Sequence, residues 1–179
     1  MNPSCNLFIV GPTGAGKTSI GRRLAEHYGL SFVDLDQEIE RQCGVPVSAV
    51  FEIEGEAGFR LRESQLLDET SRRNGIVMAT GAGAVLDATS RQRLADRGYV
   101  LWLQATLEQQ LERLAQDRQR PLLATGDRAE RLSTMSRVRT PLYEEIADLV
   151  IPGAHEHVHA ASARSILLID QHWQRQHAA

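Results

Sequence analysis

The chain has 179 residues and a mass of 19.9 kDa, the size of one domain with a sizeable core. A hydrophobic content of 42% with 24% charge is ordinary for a globular protein and excludes a disordered or membrane-embedded chain. A net charge of −3 gives no basic field for nucleic acid or an anionic membrane, and no apolar run reaches the length of a membrane span.

No basic segment followed by an apolar one opens the chain, so no secretory signal is expected. Cys5 and Cys43 lie far apart without metal-ligand spacing and read as free thiols, which favours a cytoplasmic location.

Leu7 to Val10 (LFIV) is predicted as a short strand buried on both faces. Gly11 to Thr18 (GPTGAGKT) follows at once and matches G-x-x-x-x-G-K-[ST], with Ile20, Leu24 and Tyr28 at helical spacing behind it. The motif thus sits between a strand and a helix, the context in which such a loop holds phosphate rather than merely turning the chain. Gly11, Gly14 and Gly16 allow the backbone to curl with its N–H groups inward, and the helix dipole adds positive potential. The candidate nucleotide contacts are Gly14, Ala15, Gly16, Lys17, Thr18 and Ser19, with Lys17 reaching the β- and γ-phosphates and the Thr18 hydroxyl on magnesium. Lys17 is the only lysine in the chain, retained where a slim, flexible point charge does what a guanidinium does less well. The segment predicts binding of a nucleoside triphosphate.

Leu30 to Leu35 (LSFVDL) predicts a second strand and Gln37 to Gln42 a helix, broken by Gly44 and Pro46. Val47 to Ile53 starts another helix, and Glu56 to Arg73 is a longer amphipathic one with Phe59, Leu66 and Leu67 on its apolar side. Ile76 to Ala79 (IVMA) is a third strand, leading directly into Thr80-Gly-Ala-Gly83. Asp87 to Asp96 reads as a helix, Tyr99 to Leu103 (YVLWL) as a fourth strand, and Thr106 as the cap of a helix burying Leu107, Leu111 and Leu114. The polar, arginine-rich stretch 116–127 is a candidate lid. Ala129 to Ala147 is expected to be helical with a break near Pro141, Asp148 to Ile151 a fifth strand, and Val158 to Trp173 the last helix. His155, His157 and His159 alternate along the chain with no carboxylate-rich partner nearby, and read as a solvated turn rather than a metal site. Alternating strands and helices indicate an α/β/α sandwich around a parallel sheet, with ligands at the carboxyl ends of the strands.

Three groups fall at those ends. Asp34 and Asp36 point the same way if the strand runs through both; one carboxylate can help hold magnesium and the other accept a proton from an attacking hydroxyl. Helix capping is the plainer reading for Asp36 alone. The second group, Gly81, Ala82 and Gly83, replaces the metal-binding aspartate many nucleotide hydrolases carry after this strand, and suits backbone contact with a small polar ligand. Arginines form the third: Arg60 on the long helix, Arg118 and Arg120 in the candidate lid, and Arg137 and Arg139 after it. A lid arginine can neutralise a phosphoryl group in transfer, and others can grip a carboxylate in bidentate fashion.

Taken together, GPTGAGKTSIG from Gly11, VDLD ending at Asp36, FEIEGEAGFRLRE from Phe51 to Glu63, TGAGAV from Thr80, RPLL from Arg120 and RTPLYEEIAD from Arg139 to Asp148 resemble the shikimate kinase family. The resemblance spans nearly the whole chain, and the combination is far more specific than the phosphate loop. It implies one kinase domain, a five-stranded parallel sheet in the order 2-3-1-4-5, a shikimate-binding segment at about 34–63, and Mg-ATP-dependent phosphorylation of the 3-hydroxyl of shikimate. It further implies that Thr18 and Asp34 serve magnesium, and that Asp36 holds the ring hydroxyls and acts as base. Arg60 and Arg139 would bind the carboxylate, with Phe59 and Glu63 shaping the pocket. Arg120 would contact the ATP phosphates and Arg113 would lie near adenine. A monomer is expected. The family's loop after the third strand is usually three glycines, whereas this chain has Ala82 in the middle, expected at negative φ; its usual G-x-S-I run reads Gly44-Val-Pro-Val. A gluconate-type kinase on the same fold is the nearer alternative; a non-catalytic nucleotide-binding regulator, the other, would be expected to lose Asp36 or Arg120.

Overall fold

The computed structural model describes residues 4–115 and 127–174. Five strands, β1 (Leu7–Val10), β2 (Ser31–Asp34), β3 (Ile76–Ala79), β4 (Tyr99–Leu103) and β5 (Leu149–Ile151), form one sheet in the order β2-β3-β1-β4-β5. Every pairing is parallel, with Ile9 opposite Ala79 on one side and Leu101 on the other. Successive side chains of a strand face opposite ways, and the core divides accordingly. Phe8, Val10, Ile76, Met78, Val100 and Trp102 pack toward α2 (Leu35–Cys43), α3 (Val47–Ser71), α4 (Ala88–Arg97) and α6 (Arg128–Ile146). Leu7, Ile9, Val77, Tyr99, Leu101 and Leu103 pack toward α1 (Lys17–Tyr28) and α7 (Val158–His172). A short helix, α5 (Leu107–Arg113), follows β4. The chain leaves β1 between β3 and β4, so the strand order reverses there and opens a crevice beyond the strand ends.

Two local expectations are corrected. α6 runs through Pro141 without a break. A proline in a helix removes one backbone donor and costs about 3 kcal/mol, but Leu132, Arg139, Tyr143 and Ile146 are all buried on one face of this helix, and that packing outweighs the loss. The face of α5 also differs: Leu107 is exposed and Gln109 and Gln110 are buried beside Leu114. Gln109 Oε1 accepts from the Thr106 N–H while Thr106 Oγ1 accepts from the Gln109 N–H, so burial leaves the side-chain oxygen satisfied. The two helical segments expected on either side of residue 55 are both present, meeting in α3 at a kink where Gly55, with φ of 71° and ψ of 179°, interrupts the helix. Glu54 and Arg62 bridge the kink with two hydrogen bonds of 2.6 Å. The longer arm thereby brings Phe59, Arg60 and Glu63 under the end of β3.

Candidate active site

The phosphate loop leaves β1 with Gly11, Gly14 and Gly16 at φ of 144°, 79° and 88°, conformations in which a Cβ would be strained. Gly16 is the N-cap of α1, so the loop curls around the positive end of that helix. Lys17 folds back over it: Nζ donates to Gly11 O at 2.8 Å and Pro12 O at 2.9 Å. Ala15 is buried beneath the loop and Ser19 is exposed at its rim.

One turn along, Thr18 Oγ1 donates to Asp34 Oδ2 at 2.6 Å, a charge-assisted bond from α1 to the end of β2. Asp34, not Asp36, caps α2; its Oδ1 accepts from the Gln37 N–H at 3.2 Å. The strand ends at Asp34, so Asp36 leaves from the first turn of the helix and the two carboxylates are not aligned by a shared strand. A hydroxyl and a carboxylate side by side beneath the phosphate loop are hard oxygen donors of the kind magnesium takes, so Thr18 and Asp34 fit that ion.

The turn after β3 is the centre of a second cluster. Thr80 anchors it, its N–H and its hydroxyl both donating to Ile9 O at 3.1 Å. A Cβ on Gly81 would run into Glu63 Oε1 and lie 3.0 Å from Asp36 Oδ1; one on Gly83 would stand on the Arg60 guanidinium. Neither glycine has positive φ, so what they provide here is space. No described residue other than glycine has positive φ, which places Ala82 in an unstrained conformation. Arg60 Nη1 donates to Glu63 Oε2 at 2.6 Å and its guanidinium lies 5.3 Å from the centre of the Phe59 ring, which packs on Phe51.

Burial pushes the Glu63 carboxyl up, with Arg60 opposing the shift. Arg139 is 8% exposed; burial pulls its guanidinium down, yet arginine starts so high that it remains a cation. Arg137, two residues earlier, is exposed, so only Arg139 of this pair enters the site. Arg118 and Arg120 lie outside the described residues, as does the candidate lid apart from Asp127, the N-cap of α6.

Beyond the loop an open cleft is lined by Ala15, Gly16, Ser19, Arg113, Pro152 and Ala154, among others. Arg113 donates to Gly14 O at 2.9 Å and to Ala154 O at 3.3 Å, tying the phosphate loop to the segment after β5. Arg164 holds Pro152 O at 2.9 Å and pairs with Glu156 at 2.6 Å. The motifs give no role to Arg164, Glu156 or Tyr143. Tyr143 lies within RTPLYEEIAD, four residues after Arg139, a spacing that puts both on one helix face. His155 stands 3.8 Å from Glu112, and His159 lies 3.0 Å from Arg23; no metal-competent group of three His, Cys, Asp or Glu occurs among the described residues.

Two clusters thus face one crevice, the glycine-rich loop at the end of β1 and, at the end of β3, a group with the buried Arg139 and the half-buried Arg60. Residues 13–169 match the family model described as shikimate kinase. A shikimate kinase of Xanthomonas campestris pv. campestris is 47% identical over 173 residues, which cover 97% of this chain and 96% of that one. Another, of Bordetella avium, is 54% identical over 145 residues, covering 81% and 69%. The solved structure of shikimate kinase from Acinetobacter baumannii in complex with shikimate aligns with a TM-score of 0.90 at 40% identity, covering 96% of this chain and 94% of that one. A gluconokinase from Sinorhizobium meliloti shares the fold alone, with a TM-score of 0.61 at 13% identity and coverage of 94% and 93%. The chain belongs to the shikimate kinase family and is an ATP-dependent small-molecule kinase.

Proposed function

We propose that this chain, working as a single monomeric domain in the cytoplasm, transfers the γ-phosphoryl group of Mg-ATP to the 3-hydroxyl of shikimate. The observation that carries the reading is the meeting of Asp36, Arg60, Glu63 and the 81–83 turn, with the buried Arg139 charge close enough to act on Glu63, at the strand end next to the phosphate loop. A compact acid bearing ring hydroxyls needs a cation for its carboxylate, a close backbone for its ring and a base at the hydroxyl; this constellation offers all three.

In this reading the loop from Gly14 to Ser19 holds the β- and γ-phosphates by its N–H groups, and Lys17 swings from the Gly11 and Pro12 carbonyls onto them. Thr18 and Asp34 hold magnesium, which when bound neutralises phosphate charge. Arg60 and Arg139 fix the carboxylate, while Phe59, Gly81, Ala82 and Gly83 line the ring. Asp36 accepts the hydroxyl proton as the oxygen attacks phosphorus. Arg113 sits at the base cleft, and Arg120 approaches the phosphates from the lid. The test is ADP release from Mg-ATP with shikimate, with gluconate and with no acceptor. Turnover with shikimate alone is expected; turnover with gluconate, or equal rates without acceptor, would refute the reading.

The middle of the turn distinguishes space from conformation. Gly83→Ala is expected to displace the flexible tip of Arg60 rather than break the fold, raising KM for shikimate about tenfold or more at near-normal kcat. Ala82→Gly is expected to lower stability by about 0.4–1 kcal/mol, because an unstrained alanine gives way to a looser unfolded chain. Its KM for shikimate should stay within about threefold, under 1 kcal/mol. Steady-state kinetics and thermal melts check both, and a tenfold fall in KM for Ala82→Gly would mean that the alanine obstructs the acceptor.

A further inference from the structure

Tyr143 is the buried polar group next to the acceptor cluster to which the mechanism above assigns no part. It lies one turn after Arg139 on α6, 2% exposed, with its ring tilted against Trp102 at 5.8 Å. Its hydroxyl donates to the Ala82 carbonyl at 2.6 Å. Arg139, four residues earlier on the same buried face, lies close enough for its charge to act on that hydroxyl. A phenol has one proton and two lone pairs, so it can give to a carbonyl and take from a guanidinium at once. Arg139 and Tyr143 also line a narrow gap shared with Pro12 and Thr13 of the phosphate loop.

We infer that Tyr143 is a positioning residue of the acceptor site, its hydroxyl coupling the Arg139 guanidinium to the Ala82 carbonyl so that carboxylate grip and ring-binding turn are set together. The inference rests on the reading of Arg139 and the 81–83 turn as shikimate contacts. It also accounts for alanine in the middle of that turn. Position 82 contributes a backbone carbonyl, which every residue has, whereas positions 81 and 83 must leave room for Glu63 and Arg60. Without the hydroxyl, the Ala82 carbonyl loses its donor and the guanidinium loses its polar neighbour one turn along the helix.

The test is steady-state kinetics in both substrates for wild type, Tyr143→Phe, and Tyr143→Met as a second apolar filling without the hydroxyl. Both variants are expected to raise KM for shikimate about tenfold, with KM for ATP and kcat within about twofold, because carboxylate and ring are held alike before and during transfer. A shikimate KM within about twofold of wild type overturns the inference. So does a parallel shift of both KM values and kcat, which is the mark of a loosened fold rather than of a misplaced grip. Failure of the wild type to turn over shikimate would instead refute the substrate assignment, so the two failures are told apart.

Discussion

Lys17→Ala is expected to lower kcat on the order of a thousandfold while leaving the fold intact. The reason is that phosphoryl transfer asks the protein for position and charge rather than for covalent chemistry, so a cation on the transferring group carries much of the catalysis. The Lys17 Nζ is held at the loop by the Gly11 and Pro12 carbonyls, and the residue belongs to neither core cluster. Its loss therefore removes loop contacts and no core packing, and the melting temperature should move little. Lys17→Arg should fail nearly as badly, since a planar fork fits poorly where a narrow ammonium curls over backbone. Amine-reactive labelling offers an independent check, because Lys17 is the sole lysine. Only Lys17 and the N-terminus should react, and Mg-ATP should protect Lys17. Equal labelling with and without nucleotide would count against the assignment.

Asp36→Asn is expected to lower kcat by roughly 10²–10⁴, the range for removing a general base. Asp34→Asn should chiefly raise the magnesium concentration needed for half-maximal rate. The two carboxylates occupy different places. Asp34 accepts from the Thr18 hydroxyl and from the Gln37 N–H, whereas Asp36 Oδ1 lies against Gly81 on the acceptor side. Asparagine caps helices about as well as aspartate, so Asp34→Asn should keep α2 in place while removing the charge and the second oxygen, which accepts from Thr18. Magnesium titrations at fixed ATP, with kcat measured at saturating shikimate, separate the roles. Identical titrations for wild type and Asp34→Asn would remove Asp34 from the metal shell, and an unimpaired Asp36→Asn would require another base.

Much of this was legible before any coordinates. Leu7–Val10, Ile76–Ala79 and Tyr99–Leu103 form strands over the residues expected, because four or five apolar residues between turn signals can only be buried in an α/β sheet of this kind. The strand order implied by the family resemblance is the order found. Reading went astray where a local rule met a packed environment. Pro141 breaks helices in isolation, and Leu107 looked like core by spacing, yet packing of α6 and the capping box of α5 decided otherwise.

The phosphate loop, by contrast, was determined by sequence alone, since every group in it comes from one run of eight residues and its geometry is dictated by its own glycines. The acceptor cluster could be suspected from motifs but only tertiary structure could assemble it. Nothing local says that Arg139 is buried while Arg137 is exposed, or that Arg60 turns inward beneath Gly83. Tyr143 and Ala82 are 61 residues apart, and their hydrogen bond exists only because α6 crosses the end of β3. A contiguous motif carries its partners with it; a site drawn from four elements depends on which faces the core buries, and that is settled by packing across the whole sheet.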